Sequence, residues 1–527
     1  MRDRLLSLCV IARDEEDVID RCLASAVPLV DEIVLADTGS RDRTARLAAA
    51  RGAVVFEHPW SDDFAAARNA TLARASGRFI LVLDADEWIE SDPASETLRT
   101  RLEKSIEEAL TIEIADRLDG GGVRRYPLVR LFRNRPEHRY AGAIHEQITP
   151  SIARRLGRES LAPPPSGIVA GHDVYLAARR AGRGKSERNL ALLRRLAGPP
   201  GGDPAARYFL ARELLPMVGG RAVPGGHLAE ALALLEALAG EVGALPAAWR
   251  ADAARLQAAA LLAAGRASEA AGVLQARGDR GVACDLLRAD AEILLAAGEP
   301  RAVEGALERL RRCFDRETRD AGPYSEPALA GPLARARAAE ALLVLGRHAE
   351  ARALAAEAAS LPGGGAAPHL AAAAVERAEG NLEGALLRCT EGLRIDALDP
   401  WAWAGAGEVL LEAGRVEEAL DPLRNAATLA PGWDRAEEAL GAALILSGRF
   451  EEMSERFAPR PGGSGPGAQA ALLLASAGRV SSCPLDRLHA EAPASVRRIL
   501  GRVAAAGRHE LLGRLAAGLS ALRLEEI

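Results

Sequence analysis

The chain has 527 residues, of which 49% are apolar, 27% charged and only 4% aromatic, and 67 basic against 73 acidic side chains leave a net charge of -6. This length holds two or three domains with separate cores, and the near balance of charge excludes the basic footprint of non-specific nucleic-acid binding. With so few aromatics, much of the interior must be packed by small aliphatic side chains, which favours close-packed helices over a β-sandwich.

The opening MRDRLLSLCVIARDEE places basic residues before an apolar run, but the run stops at Ala12 and acidic residues come next without a small-residue cleavage site. It reads as a first strand rather than a secretion signal. No uncharged apolar stretch reaches the roughly 18 to 20 residues of a membrane span. Six cysteines (Cys9, Cys22, Cys284, Cys313, Cys389 and Cys483) are scattered without metal-finger spacing. A reduced cytoplasmic setting is expected, with any membrane contact peripheral to the inner face.

Leu5 to Ile11, Ile33 to Ala36, Ala53 to Phe56 and Phe79 to Leu83 are short apolar runs that predict buried strands. Between them, Val18 to Ala26, Asp42 to Arg51 and Phe64 to Ala75 carry helical spacing. Such alternation predicts a parallel sheet with crossover helices, whose ligands gather at the carboxyl ends of the strands. Three strand exits stand out: ARDEED, DTGSRDRT and DADEW.

From about Lys185 Ala/Leu-rich helices broken by Gly take over. Gly346, Gly380, Gly414 and Gly448 recur every 34 residues, each succeeded by Arg347, Asn381, Arg415 and Arg449 in turn, with Ala351, Ala385, Ala419 and Met453 at the fifth place after each Gly. A 34-residue helix-turn-helix period with this pattern resembles the tetratricopeptide family. Gly265-Arg266 with Ala270 is a less regular member. Pro199 to Pro204, Gly219 to Gly226, Leu361 to Pro368 and Pro461 to Gly467 read as loops.

Asp84-Ala85-Asp86 closes an apolar run, so in extended geometry both carboxylates project to one side. Oxygen ligands in such a place suit a hard divalent cation on a nucleotide diphosphate, and solvated acids at a strand end are the plain alternative. Asp37 is positioned to accept hydrogen bonds from a base or ribose, Gly39 permits a tight turn, and Ser40 or Asp42 can cap the next helix. Arg68 can pair with phosphate, or be an exposed helix charge, and Asn69 can hydrogen-bond locally.

The stretch from Leu6 to Trp88 resembles glycosyltransferase family 2, of GT-A type, in ARDEEDVIDRCLASAV, DEIVLADTGSRDRT and FAAARNATLARASGRFILVLDADEW. Beyond Trp88 the chain is similar to a subset of that family joined to tetratricopeptide repeats, in RLFRNRPEHRYAGAIHEQI, GHDVY and KSERNLALL. The resemblance implies an α/β GT-A domain over residues 1–195, then irregular helical repeats over 196–330 and tetratricopeptide repeats with C-terminal helices over 331–527. It further implies that Ala12, Asp14, Glu16, Asp37, Arg68 and Asp84 handle a nucleotide-sugar donor, with Asp37 and Asp84 on the uridine and ribose, and that Asp86 binds Mn2+ or Mg2+. The family's first loop more often reads K-N-E-E, where this chain has Arg13-Asp14-Glu15-Glu16.

Transfer of a sugar needs a base near the attacking atom, and Glu146 of His145-Glu146 is the carboxylate chosen for it. In a strand the two side chains would face opposite ways, leaving His145 to orient the loop or touch the acceptor. His172 of GHDVY is a metal ligand or a structural histidine. The basic run Arg179 to Arg188 can clamp phosphates or form a solvated face.

The expected activity is therefore metal-dependent, inverting transfer of a sugar from a UDP-sugar to a peptide, protein or cell-surface glycan held by the repeats. A scaffold or homodimer role is the alternative for the repeats. For the whole chain, the rivals are an adaptor with an inactive catalytic domain and a sugar-phosphate nucleotidylyltransferase. The latter would need a Gly-rich, basic loop where ARDEED stands.

Overall fold

A computed structural model of the chain describes residues 4–91, 95–117, 123–158, 161–172, 185–198, 202–218, 220–241, 245–277, 281–314, 329–361, 363–458, 470–471, 474, 492–505, 511–512 and 515. Residues 173–175 of GHDVY, 179–184 of the basic run, Cys483 and the loop from Pro461 to Gly467 lie outside this set. Two compact units emerge, residues 1–209 and 210–527.

The N-terminal unit carries β1 (Leu6–Ala12), β2 (Glu32–Asp37), β3 (Val54–Glu57), β4 (Phe79–Val82), β5 (Glu87–Ser91), β6 (Ala109–Arg117), β7 (Val123–Arg133) and β8 (Pro165–His172) in one sheet of order β3-β2-β1-β4-β7-β6-β8-β5. The first four strands pair in parallel through α1 (Ile19–Ala26), α2 (Thr44–Ala50) and α3 (Phe64–Leu72). β1, β2 and β4 are buried on both faces, whereas the run from Ala53 to Phe56, expected as a buried strand, forms the sheet's edge strand β3 and leaves Val54 56% exposed. Leu8, Val10 and Leu81 feed one core, whereas Cys9, Ile80 and Val82 feed the other, which is why their sequences read as continuous apolar runs. The remaining strands extend this sheet in mixed fashion, with β7 antiparallel to β4 and β6, and β8 parallel to β6 and antiparallel to β5. The unit also contains α4 (Ser95–Lys104), α5 (Thr149–Arg155) and α6 (Lys185–Ala197), and the boundary falls within α7 (Pro204–Leu214).

Among its described residues the second unit is helical apart from a short hairpin of β9 (Met217–Val218) and β10 (Arg221–Ala222). The hairpin occupies part of the expected loop from Gly219 to Gly226, with Gly220 turning the chain at φ 73°. Then come α8 (Leu228–Gly240), α9 (Ala247–Ala263), α10 (Ala267–Arg277), α11 (Val282–Leu295), α12 (Pro300–Arg311), α13 (Ala334–Val344), α14 (His348–Ser360), α15 (Ala367–Ala378), α16 (Leu382–Ile395), α17 (Pro400–Glu412), α18 (Val416–Leu429), α19 (Asp434–Leu446), α20 (Phe450–Arg456) and α21 (Ala492–Ala505).

The 34-residue glycines are the corners of helix pairs. Gly346, Gly380, Gly414 and Gly448 all sit at φ of 72° to 80°, where a Cβ is disfavoured. In the corner at Gly414, its N–H donates to Leu411 O and that of Arg415 to Leu410 O, the paired bonds of a Schellman stop. Gly265 repeats the arrangement. Ala351, Ala385, Ala419 and Met453, on the helix after each corner, are fully buried. A further corner, Ala297-Gly298 before Pro300, uses two positive-φ residues instead of one and so escapes the sequence pattern. Among the described residues no helix is long and apolar enough to cross a membrane.

Candidate active site

The carboxyl ends of β1, β2 and β4 bring the three predicted exits together. Asp37 ends β2 opposite Ala12 of β1. Its Oδ1 accepts from the Ser40 N–H (3.0 Å) and hydroxyl (2.6 Å), while the Ala12 carbonyl accepts from Thr38 N–H (2.9 Å). Asp14 sits at φ 52°, a conformation that Asp and Asn tolerate better than most residues. Its carboxylate accepts from Arg41 N–H at 2.7 Å, a bond an Asn carbonyl oxygen can also accept, so the Asp variant of the loop keeps the brace to the second exit. Glu16 takes Arg43 N–H at 3.1 Å and its guanidinium at 2.9 Å. Asp42 accepts from the N–H and hydroxyl of Thr44 and also receives Glu16 N–H, so it braces the start of α2 and the first loop at once.

The Asp84–Asp86 segment departs from the extended geometry expected of it. β4 ends at Val82, and residues 84–87 form a turn in which Glu87 N–H donates to Asp84 O at 3.0 Å and Asp84 N–H to Glu87 Oε2 at 2.8 Å. The two aspartates consequently meet different partners. Arg68 of α3 donates through Nη2 to Asp84 Oδ1 at 2.5 Å and through Nε to Glu146 Oε1. Arg130 grips Asp84 Oδ2 at 3.0 Å and lies 3.7 Å from Glu87 Oε1. Burial disfavours the charge on Asp84, but Arg130 and Arg68 outweigh it and hold the carboxyl far below its ordinary range. Glu87, 3% exposed, is instead pushed up by burial and by Asp84, against the pull of Arg130.

Asp86 turns toward His172, whose Nε2 lies 3.6 Å from Asp86 Oδ1 while Nδ1 lies 3.0 Å from Asp116 Oδ1. Sheet register creates this row, since His172 is the partner of Glu87 across β5–β8 and of Asp116 across β6–β8. Burial would lower the imidazole pKa, but Asp116 and Asp86 raise it to about 10. A carboxylate and an imidazole, the latter braced by a buried second carboxylate, are a donor set that fits a divalent metal. Among the described residues no group of three or more His, Cys, Asp or Glu could close a cage. Two protein ligands leave the rest of such a shell to phosphate oxygens and water.

His145 and Glu146 lie in a turn rather than a strand, and they do diverge. His145, at φ 54°, stacks its ring on Phe209 with centroids 4.3 Å apart, whereas Glu146 turns inward to Arg68. Asn69 pins this loop through two 2.9 Å bonds with the backbone of Tyr140. Its contact is thus long-range, not local as expected. Arg68 is only 6% exposed, and α3 delivers it and Asn69 to opposite ends of one buried seam.

Sequence reasoning missed Arg130, Glu87, Asp116 and Tyr140. Tyr140 is buried with the Arg68 guanidinium 5.5 Å from its ring, and burial raises its phenol to about 12. The available signal was a charge inside an otherwise apolar strand, as in LVRLF for Arg130. From the basic run, Arg188 lies 5.9 Å over the Phe64 ring.

Residues 7–148 match the family model described as glycosyl transferase family 2. The N-terminal unit carries a family 2 glycosyltransferase domain. A TPR repeat-containing protein of Synechococcus elongatus is 40% identical over 186 residues, 35% of this chain and 45% of that protein, so the chain spans less than half the length of this curated relative. A structure of glucosyl-3-phosphoglycerate synthase from Mycobacterium tuberculosis, in complex with Mn2+, UDP and glucosyl-3-phosphoglycerate, is 20% identical, covering 38% of this chain and 82% of that one at a TM-score of 0.25. The APC/C hetero-tetramer Cut9-Hcn1 covers 66% of this chain and 62% of its own at 14% identity and a TM-score of 0.34. The family 2 match ends at Ile148, two residues beyond Glu146.

Proposed function

We propose that the protein is a metal-dependent, inverting glycosyltransferase that moves a sugar from a UDP-sugar to an acceptor on a peptide, protein or glycan. The observation that carries this reading is the Arg68 guanidinium, which holds a donor-side carboxylate, Asp84, and an acceptor-side carboxylate, Glu146, on one buried fork. Asp37 and Asp84 hydrogen-bond the uridine and ribose, with the loops of Asp14 and Glu16 forming the rim. Asp86 and His172 would hold Mn2+ or Mg2+, which when bound neutralises charge on the nucleoside diphosphate. Glu146 accepts the proton of the attacking group as the acceptor oxygen, nitrogen or sulfur bonds to the anomeric carbon and the bond to the diphosphate breaks. Arg68 fixes Glu146 by Oε1, which leaves Oε2 to face the acceptor. Residues 1–195 do this chemistry, and the repeats beyond them select the acceptor.

The test is UDP release and UDP binding by the full chain with UDP-sugars and Mn2+. Glu146→Gln should lower turnover by about 10² to 10⁴ with UDP affinity nearly unchanged, while Asp86→Asn should abolish the metal dependence of UDP binding. Full activity in excess chelator, or loss of UDP binding in Glu146→Gln, would overturn the assignment.

A further inference from the structure

The turn that carries Glu146 is closed by two backbone bonds, from Ala141 N–H to Gln147 O at 3.0 Å and from Gln147 N–H to Ala141 O at 2.9 Å. Inside it the chain reverses at two positive-φ residues, Gly142 at 100° and His145 at 54°. Glycine takes that region freely, whereas histidine is strained in it and stays there only where its surroundings hold it. Two contacts flank the turn. On one side the Phe64 N–H, at the start of α3, donates to Ala143 O at 2.8 Å. On the other, Phe209 of α7 lies on the His145 ring, with 4.3 Å between centroids and 26° between planes.

Phe209 is itself firmly placed. It is 3% exposed, and the fully buried Tyr208 lies beside it with ring centroids 4.9 Å apart. Its helix follows α6 through a tight corner, in which Asp203 N–H donates to Leu196 O at 3.1 Å and a Cβ on Gly202 would stand 2.6 Å from Ala197 O. α6 is tied in turn to the segment before α3, where Arg195 donates to Asp62 Oδ2 at 2.9 Å. The two flanks of the turn are thus joined to each other through α6 and α7. Phe209 lies beyond residues 1–195, to which the chemistry is assigned.

We propose that Phe209 is a positioning residue of the transferase, which by stacking on His145 keeps the reversed turn that aims Glu146 at Arg68. The backbone at residue 145 decides which way the next side chain points. Held at positive φ, it sends the His145 ring outward onto Phe209 and the Glu146 carboxylate inward. Released from the stack, His145 relaxes to negative φ and Glu146 leaves its place. A flat ring is what the contact requires, since face-to-face area on the imidazole is lost when an aliphatic side chain of similar volume takes its position. The role in transfer rests on Glu146 being the base, whereas the role in the turn does not.

Amide exchange on the full chain without ligand reads the turn. In Phe209→Leu the Ala141 and Gln147 amides should exchange at least about tenfold faster with β1 and β4 unchanged, and Phe209→Tyr, which keeps the ring, should stay within about threefold of wild type. Unchanged exchange in Phe209→Leu, equal loosening by Leu and Tyr, or equal loosening of β1 and β4 would each overturn the proposal. Turnover is read as UDP release from a mixture of UDP-glucose and UDP-N-acetylglucosamine with Mn2+. Phe209→Leu should lower it at least about tenfold with UDP affinity within about twofold, and Phe209→Leu combined with Glu146→Gln should be no slower than Glu146→Gln alone, as expected of residues that act as one unit. A further fall in the double variant would give Phe209 a task apart from Glu146 and overturn the proposal. Full turnover in Glu146→Gln would instead remove the base, and amide exchange would then decide the place of Phe209 by itself.

Discussion

The two units use the same pairing of arginine with carboxylate for different ends. In the N-terminal unit, Arg68 is buried and Arg130 mostly so, at 13% side-chain exposure, beside Asp84, and neither belongs to a repeating pattern. In the helical unit, an arginine follows three of the four corner glycines, Gly346, Gly414 and Gly448, and each is partly exposed. Arg415 pairs with Glu418 and reaches back to Glu383, and Arg449 likewise reaches back to Glu417. Buried pairs are costly to break from one side, whereas exposed ones contribute little. The repeated arginines thus decorate a fold fixed by its glycines and alanines, and the two solitary ones organise a site.

Arg130→Met should have the largest effect, because it leaves Asp84 and Glu87 together with one cation fewer in a buried place. A loss of about 3–5 kcal/mol is expected, read by denaturant unfolding of the N-terminal transition. A loss below about 1 kcal/mol would erase the distinction between the units.

Glu408 is the exception that sharpens it, since this buried acid of α17 takes Arg435, Arg377 and Arg502. Burial raises its pKa, but those three cations outweigh burial and bring it from 4.5 down to about 2. Its stabilisation is therefore complete above pH 4.5 and lost as the pH falls through 2. Glu408→Gln should cost about 3 kcal/mol near neutral pH, with the gap to wild type closing over that acid range in a pH series of urea melts. A gap independent of pH would remove the charge from the explanation.

Gly414→Ala should cost about 1–2 kcal/mol, the penalty of a Cβ at positive φ. Its neighbour Arg415→Ala should leave the thermal midpoint within the scatter of replicate scans. Reversal of that order would make the charge ladder, not the corner, the repeat's determinant.

How far the sequence could be read depends on what each element buries. β1, β2 and β4 are legible to within a residue at each end because both of their faces are covered, and the edge strand β3 is legible from its β-branched Val54-Val55. β6 alternates Leu110, Ile112 and Ile114 with Thr111 and Glu113, a two-residue period that sequence reasoning missed, whereas β7 (VRRYPLVRLFR) is interrupted by charges. The corners are legible because positive φ selects glycine at a fixed interval. Single carboxylates such as Asp84 and Glu146 are visible as motifs, but their partners are not. Arg130 reaches Asp84 only because Leu131 lies opposite Leu81 across β4–β7, and Asp116 reaches His172 only by strand register. Pairings of that kind belong to the sheet, not to any local string.

Cys22 lies beneath the exit of β4, its Sγ 3.4 Å from the Asp84 carbonyl. It is fully buried, and burial first, with Glu87, Asp84 and Asp86 adding to it, keeps the thiol protonated far above its ordinary range. Cys9 is pushed up to about 12, chiefly by burial. Thiolates, not thiols, react with alkylating reagents, so in the native sheet both sulfurs are doubly protected, by exclusion and by protonation. Alkylation of Cys22 must wait for the strand exit to open, and its rate is therefore a clock on the opening of the turn that carries Asp84 and Asp86.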